Sequence, residues 1–277
     1  MRHSLVISLF TLALATPLTA QTTWGLRTGI GAEKKITKGF DAGVEFKYHQ
    51  ADDFKSTDRW SVGVSLSKRL YRNEAKTFNV KAGLGYKYLN VYNGWTTKYK
   101  DDPTLGIEDG LDPQYYLSNN YDFNYSDTYV DHRHRVTASL QASAELGRFK
   151  VSLRESYQFT HTDSVEYDKV KYRYKDGKWK DPETVKDGKP ASNKNMLRSK
   201  LALDYDIPHW KYDPFISYEL FNSLDNGFQT QKSRIQAGVE FSINKKHNFE
   251  VAYLWQNQHD NDEPAGSFIC LDYKFTF

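Results

Sequence analysis

The chain carries one cysteine in 277 residues. An internal disulfide and a thiolate metal cluster are both excluded. Charge of one sign is missing too: 38 Lys and Arg against 35 Asp and Glu leave a net +3. That balance gives no preference for nucleic acid or for an anionic membrane surface. After the first twenty residues no run of about 18 apolar residues occurs, so no transmembrane helix is expected. A convincing helical period is absent as well. Aromatic residues, by contrast, are plentiful at 15%, led by 20 Tyr and 16 Phe. Disordered chains are depleted in them, so this chain is expected to fold despite its 26% charged residues.

The opening segment "MRHSLVISLFTLALATPLTAQ" has Arg2, an apolar run from Leu5 to Ala15, then Pro17 and small residues. Its length and order are those of a secretory signal, with cleavage expected after Ala20. Residues 1–20 are therefore set apart, and 21–277 are read as one domain.

From Trp24 onward the sequence alternates. In "FDAGVEFKYH", Phe40, Ala42, Val44, Phe46 and Tyr48 oppose Asp41, Gly43, Glu45 and Lys47. At the other end, "GSFICLDYKFTF" sets Ile269, Leu271, Tyr273, Phe275 and Phe277 against Cys270, Asp272, Lys274 and Thr276. About eleven such period-2 segments fill the chain. Their connections alternate between short ones (37–39, 71–76, 147–148, 207–213, 244–247) and longer ones (51–57, 93–128, 162–195, 223–230, 257–266). Strands after the short turns begin with a base and a phenylalanine: "KGF", "KTF", "GRF", "KHNF". Eight residues on, Phe40, Phe78 and Phe149 are followed by Tyr48, Tyr86 and Tyr157. At a rise of roughly 3.3 Å and a tilt near 40°, eight residues climb about 20 Å, close to the height of a membrane barrel's apolar band.

A soluble sandwich would alternate in the same way. The charges and glycines of the polar face, the rings at both ends of the apolar face and the sorted connection lengths favour a barrel. The expectation is all-β: a transmembrane antiparallel up-and-down β-barrel of 10–12 strands, with short periplasmic turns and long extracellular loops. Counting back from Phe277 at the inner rim leaves segment 24–36 running the wrong way for an even barrel. Twelve strands are preferred, with ten as the alternative if the first segment lies outside the wall.

Several stretches resemble an uncharacterised family of Gram-negative outer-membrane β-barrels, the domain of unknown function DUF2490. They include "KKITKGFDAGVEFKY", "HRHRVTASLQASAELGRFKVSLRESYQFT", "PFISYELFNSL" and "RIQAGVEFSINKKHNFEVAYLWQ". The resemblance implies a barrel in the cell outer membrane and no activity. More loosely, the architecture is similar to small monomeric porins for acidic oligosaccharides.

In the expected register Arg27, Arg59, Arg133, Arg135, Arg154, Arg198 and Arg234 line the lumen, with Glu45, Glu145, Glu219 and Glu240. Two readings compete. These charges form a channel wall for anionic solutes, with arginine favoured for its fork, or they pair across a narrow lumen and hold it rigid. His132 and His134 in "DHRHR" share a face, but no third ligand is identifiable, so no metal is expected. In "FTHTDS", His161 and Ser164 fall on opposite faces, leaving no nucleophile beside a base; no catalytic residue is assigned. Glu155 falls on the lipid face unless a bulge turns it inward, and the bulge is preferred. Loops 93–128 and 162–195 are read as hydrated, with Tyr92, Trp95, Tyr115 and Tyr116 as candidates for stacking on sugars.

The sequence thus reads as an outer-membrane barrel that is not an enzyme and uses no cofactor. Its function is a passive porin-like channel for small anionic or saccharide solutes. The alternative is a non-conducting structural or partner-binding barrel that works through those two loops. Expected partners are outer-membrane lipid and, through the strand ending in Phe277, the barrel-assembly machinery. No nucleic acid is expected, and the barrel is expected to be a monomer.

Overall fold

The computed structural model describes residues 23–225, 227–258 and 265–277. The expected secretory segment lies outside them. Seventeen strands follow one another along the described chain. They are β1 (Trp24–Thr37), β2 (Phe40–Ala51), β3 (Ser56–Arg72), β4 (Phe78–Asn93), β5 (Thr96–Tyr99), β6 (Phe123–Ser126), β7 (Tyr129–Leu146), β8 (Phe149–Thr162), β9 (Val165–Tyr172), β10 (Tyr174–Lys175), β11 (Lys178–Trp179), β12 (Glu183–Lys189), β13 (Ser192–Tyr205), β14 (Tyr212–Ser223), β15 (Thr230–Ile243), β16 (His247–Gln258) and β17 (Gly266–Thr276). One short helix, α1 (Pro113–Asn119), precedes β6. Two compact units result, one from 23–89, 134–160 and 193–277, the other from 90–133 and 161–192.

The first unit is a closed barrel of eleven strands in the order β1-β2-β3-β4-β7-β8-β13-β14-β15-β16-β17, returning to β1. The count of twelve is overturned, and so is the alternative that leaves the first segment outside the wall. The closing pair is parallel, running in register from Trp24↔Ser267 to Glu33↔Thr276. An odd number of strands in a meander has to close this way, because the first and last then point in the same direction. Loop 51–57 also shrinks to a tight turn at 52–55, where Asp52, Asp53 and Phe54 all take positive φ.

Side chains alternate across the wall as the period requires. Outward-facing Ile30, Val44, Val64, Leu84, Leu140 and Leu201 are exposed and form an apolar belt. At the short-turn end a ladder of rings crosses four strands. Tyr212 packs on Phe241 (5.2 Å between centroids), Phe241 on Phe249 (5.0 Å) and Phe249 on Tyr273 (5.1 Å). Cross-strand ring pairs of this kind are a main source of sheet stability. A second group near the other end joins Phe46 to Trp60 and Trp60 to Tyr88, which meets His134.

Glycines on the inner face have a specific use. Gly63 stands between Glu45 and its neighbour across β3, and Lys87 reaches over it to Glu45 at 2.6 Å. Gly29 pairs with Lys47 on one side and Asp272 on the other. Lys47 crosses above it to Asp272 at 3.4 Å. A Cβ on Gly29 would lie 2.0 Å from the Asp272 carboxylate. Over the closing pair, Arg27 of β1 passes β17 and donates to Gln256 of β16 at 3.1 Å. The parallel seam is therefore clasped from the inside twice.

The second unit contains a four-stranded sheet, β12-β9-β6-β5, and the β10–β11 hairpin. Stretches 93–128 and 162–195 thus contain strands of their own, β5, β6 and β9–β12, in sheets separate from the barrel wall, and the second stretch ends where barrel strand β13 begins at Ser192. Asp112 caps α1 by accepting from the Gln114 N–H at 2.7 Å, and Pro113 follows at the first helical position. Tyr116 of α1 and Phe123 of β6 are fully buried. Phe123 stacks between Tyr116 (4.9 Å) and Tyr172 (4.6 Å). Tyr116 is therefore core and cannot stack on a sugar, whereas Tyr92, Trp95 and Tyr115 remain exposed. On the same sheet, hydrogen bonds from Lys169 and the Gly188 N–H hold the Asp187 carboxyl below the usual carboxylate range.

Cysteines replacing Leu26 and Ile269, direct partners on the outer face, should cross-link under oxidation in a Cys270→Ser background. A barrel with β1 outside the wall would leave that pair uncoupled on a non-reducing gel. Phe123→Ala should cost the second unit about 3–5 kcal/mol. Limited proteolysis should then cut within 93–128 while the barrel stays heat-resistant.

Candidate functional site in the barrel interior

This part of the interior is built from the inward faces of β13–β17 together with those of β1 and β8. Two residues after Phe215 comes Ser217, then Glu219, then Phe221, and all four are buried. On neighbouring strands the same alternation brings in Arg198 and Lys200, Lys232 and Arg234, Leu254 and Gln256, and Phe268 and Cys270. Phe215, Ala252, Leu254, Phe268 and Cys270 pack together as an apolar cluster on the inner side.

Above it lies a polar network. Arg198 donates from Nη2 to Glu219 Oε1 (2.8 Å) and from Nη1 to the Gln158 amide oxygen (3.2 Å). Arg154 Nη2 lies 3.6 Å from the same Glu219 oxygen. Arg234 and Arg27 both donate to Gln256 Oε1, at 2.7 and 3.1 Å. Two rings serve as platforms. Arg27 lies 4.0 Å over Phe268. Arg198, Lys232 and Arg234 surround Phe221 at 4.7, 4.4 and 4.7 Å. Cations on a desolvated ring face keep part of the attraction they lose with water.

Toward the short turns the interior opens into a cavity of about 780 Å³ lined by Glu45, Lys47, Arg154, Glu240, Glu250 and Asp272, among others. Glu240, Glu250 and Asp272 are successive ladder partners. Gln236 donates to Glu250 at 2.6 Å.

The remaining expected lumen residues fall as follows. Arg59 is buried and bonded to its neighbour Asp58 at 2.8 Å. Arg135 donates to Thr160 at 3.2 Å. Arg133, in the second unit, binds Asp131 at 3.0 Å. Glu145 sits exposed beside the 147–148 turn, its N–H bonded to the Thr77 carbonyl. Arg154, Arg198 and Arg234 are thus brought together with Glu219. Arg59, Arg133, Arg135 and Glu145 are not part of that cluster. Phe221, Phe268 and Gln256 also face the interior. The register already holds them: Phe221 is two residues from Glu219, and Phe268 two from Cys270.

A family model described as "Protein of unknown function (DUF2490)" matches residues 24–265. The chain belongs to this family. No curated protein matches it. Among solved structures it is similar to the translocator domain of autotransporter NalP from Neisseria meningitidis. The identity there is 8% and the TM-score 0.45, over 93% of this chain and 90% of that one. It is also similar to the β-domain of the Bordetella autotransporter BrkA, with 11% identity, TM-score 0.42 and coverage of 91% and 95%. A third is OmpT, an outer membrane protein of Vibrio cholerae, with 10% identity, TM-score 0.21 and coverage of 90% and 94%.

Two further positions of this DUF2490 member depart from or refine the expectation. No bulge turns Glu155 inward. Leu153 and Tyr157 are exposed on the outer face, Arg154 and Ser156 turn inward, and Glu155 stays outside. It accepts a hydrogen bond from Ser199 at 2.7 Å. That bond offsets part of the cost of an acid on an apolar surface. His134 meets the Tyr86 hydroxyl at 2.7 Å through Nδ1. Among the described residues no group of three His, Cys, Asp or Glu is placed to hold a metal.

Removing the hydroxyl with Ser199→Ala should lower stability by about 1 kcal/mol. Glu155→Leu should leave stability unchanged or raise it, measured by thermal unfolding in detergent. A marked loss with Glu155→Leu would contradict the outward placement.

Proposed function

We propose that the chain is an outer-membrane barrel whose lumen is a narrow, anion-selective passage with its selective point at Glu219. One observation carries this reading: Arg198 and Arg154 reach that single carboxylate at 2.8 and 3.6 Å, and Lys200 and Arg234 are its direct partners on the two neighbouring strands. Such a gathering of positive groups in a low-dielectric wall attracts anions and repels cations. The membrane setting is supported by the exposed apolar belt between two rows of rings, which suits a hydrocarbon layer about 25 Å thick. Short turns would face the periplasm and the longer connections the outside. Phe277, whose N–H is bonded to the Glu33 carbonyl at 2.9 Å, would end the strand read by the barrel-assembly machinery. In this reading the barrel is monomeric and not an enzyme.

A second reading has its own support. Gln256, Phe268, Lys232 and Arg27 are all buried, so side chains fill the interior at their level. A barrel shut there would conduct nothing and would work through its second unit, the sheet formed within 93–128 and 162–195.

Planar-bilayer recording separates the two. The passage reading expects a small, steady current that favours anions. Arg198→Glu and Arg234→Glu should each cut the anion preference several-fold, as reversal of a close charge does. Zero current from well-inserted protein would leave the shut barrel standing.

A further inference from the structure

We propose that the outer face of β1–β3, at the short-turn rim, is a binding surface for the phosphate headgroup of an anionic glycerophospholipid. This deepens the membrane reading and rests on it, by naming the lipid class that this rim selects.

The near-neutral total charge hides a local excess. On β1 the outward face runs through Ile30 and Ala32 to Lys34 and Ile36. On β3 it runs through Val62, Val64 and Leu66 to Lys68, Leu70 and Arg72. Lys38 stands in the turn between β1 and β2. Lys34, Lys38, Lys68 and Arg72 are all exposed. None of the four makes an ion pair or a side-chain hydrogen bond among the described residues. The acids of these strands at this end, Glu33 and Asp41, point the other way, into the barrel. Glu33 takes Lys274 at 3.4 Å, and Asp41 is the ladder partner of inward-facing Lys35. Glu74, in the turn after β3, forms no ion pair with the four cations. At the opposite end of the same strands the outward positions carry the rings of Trp24, Tyr48 and Trp60 in place of cations.

The cations stand at the level of the rim rings. Beside Lys34, Phe275 and Phe277 of the last strand meet at 4.7 Å, and the Phe277 N–H is bonded to the Glu33 carbonyl. On its other side Lys34 faces Ala42 of β2, and Lys68 faces Phe40. A lysine or arginine on a lipid-facing strand costs little at the interface, in contrast to the midplane. There its stem lies on apolar surface while its head reaches the polar layer.

A phospholipid matches this arrangement. Lys34 and Lys68 flank β2, two strand spacings or about 10 Å apart at the backbone, so their long side chains can converge on one phosphate. Between them the outward face drops to Ala42, with Ala32 and Val44 further along. Acyl chains hanging from that phosphate would lie over these apolar residues. Each Lys or Arg near an anionic bilayer surface strengthens attachment about fivefold. A zwitterionic lipid carries its own cation and gains less.

The test folds the full chain into vesicles holding equal amounts of phosphatidylglycerol and phosphatidylcholine. Mild detergent then releases it, and native mass spectrometry counts the lipid that stays bound. The wild type should retain phosphatidylglycerol over phosphatidylcholine about twentyfold or more. The triple variant Lys34→Gln, Lys68→Gln and Arg72→Gln should lose that preference. Lys55→Gln, in the turn at the opposite end, should keep it. Equal retention of the two lipids by the wild type overturns the proposal. So does a preference that survives in the triple variant or falls with Lys55→Gln. Should the triple variant fail to fold, Lys34→Gln and Lys68→Gln singly should each lower the preference about fivefold, and no fall in either overturns the proposal. Lipid A, added to the vesicles, separates the two sources of lipid phosphate. Displacement of phosphatidylglycerol by lipid A from the wild type alone overturns the assignment to a glycerophospholipid. Insertion is read separately, by protection from added protease. A chain that stays outside the vesicles refutes the membrane reading and the site with it. A chain that inserts yet retains both lipids equally keeps the membrane reading and removes the site.

Discussion

A sheet with an apolar outer face has nowhere to leave an open edge. Unpaired N–H and C=O groups beside hydrocarbon cost several kcal/mol each, so the first and last strands have to meet. With eleven strands in a meander they can meet only side by side in the same direction. The parallel pairing of β1 with β17 is the price of that count. Parallel ladders are slightly weaker per residue than antiparallel ones. The inner-face contacts across this seam answer that weakness: Arg27 spans β17 to Gln256, and Lys47 spans β1 to Asp272.

The span from Lys47 to Asp272 depends on a residue that has no side chain. Charged groups on every second strand meet because a glycine lies between them, Gly63 under Glu45 and Lys87 and Gly29 under Lys47 and Asp272. The inner wall therefore does two things at once. It holds charge pairs that brace the barrel, and it gathers Arg154, Arg198, Lys200 and Arg234 around one carboxylate, Glu219.

Side-chain direction is a local property of a strand, so it was legible. Arg154, Arg198, Arg234 and Glu219 could all be assigned to the inside from alternation alone. The seam was not legible, because no residue near Trp24 states which edge it will meet; that follows only from the total count. The second sheet was hidden for a related reason. Its strands β5 and β6 have four residues each and pair across an intervening helix, too short for a period to register. Phe221 and Phe268 break the rule that apolar means outward, so hydropathy alone does not find them. Glu155 shows the opposite error: a charge was assumed to need the interior, when a hydroxyl on the next strand was enough.

Because the first and last strands run the same way, Thr23 and Phe277 stand at opposite mouths of the barrel. In a bilayer the polypeptide would enter the wall on one side of the membrane and leave it on the other. During insertion, then, its leading segment would have to be carried through the hydrocarbon before the ring could shut.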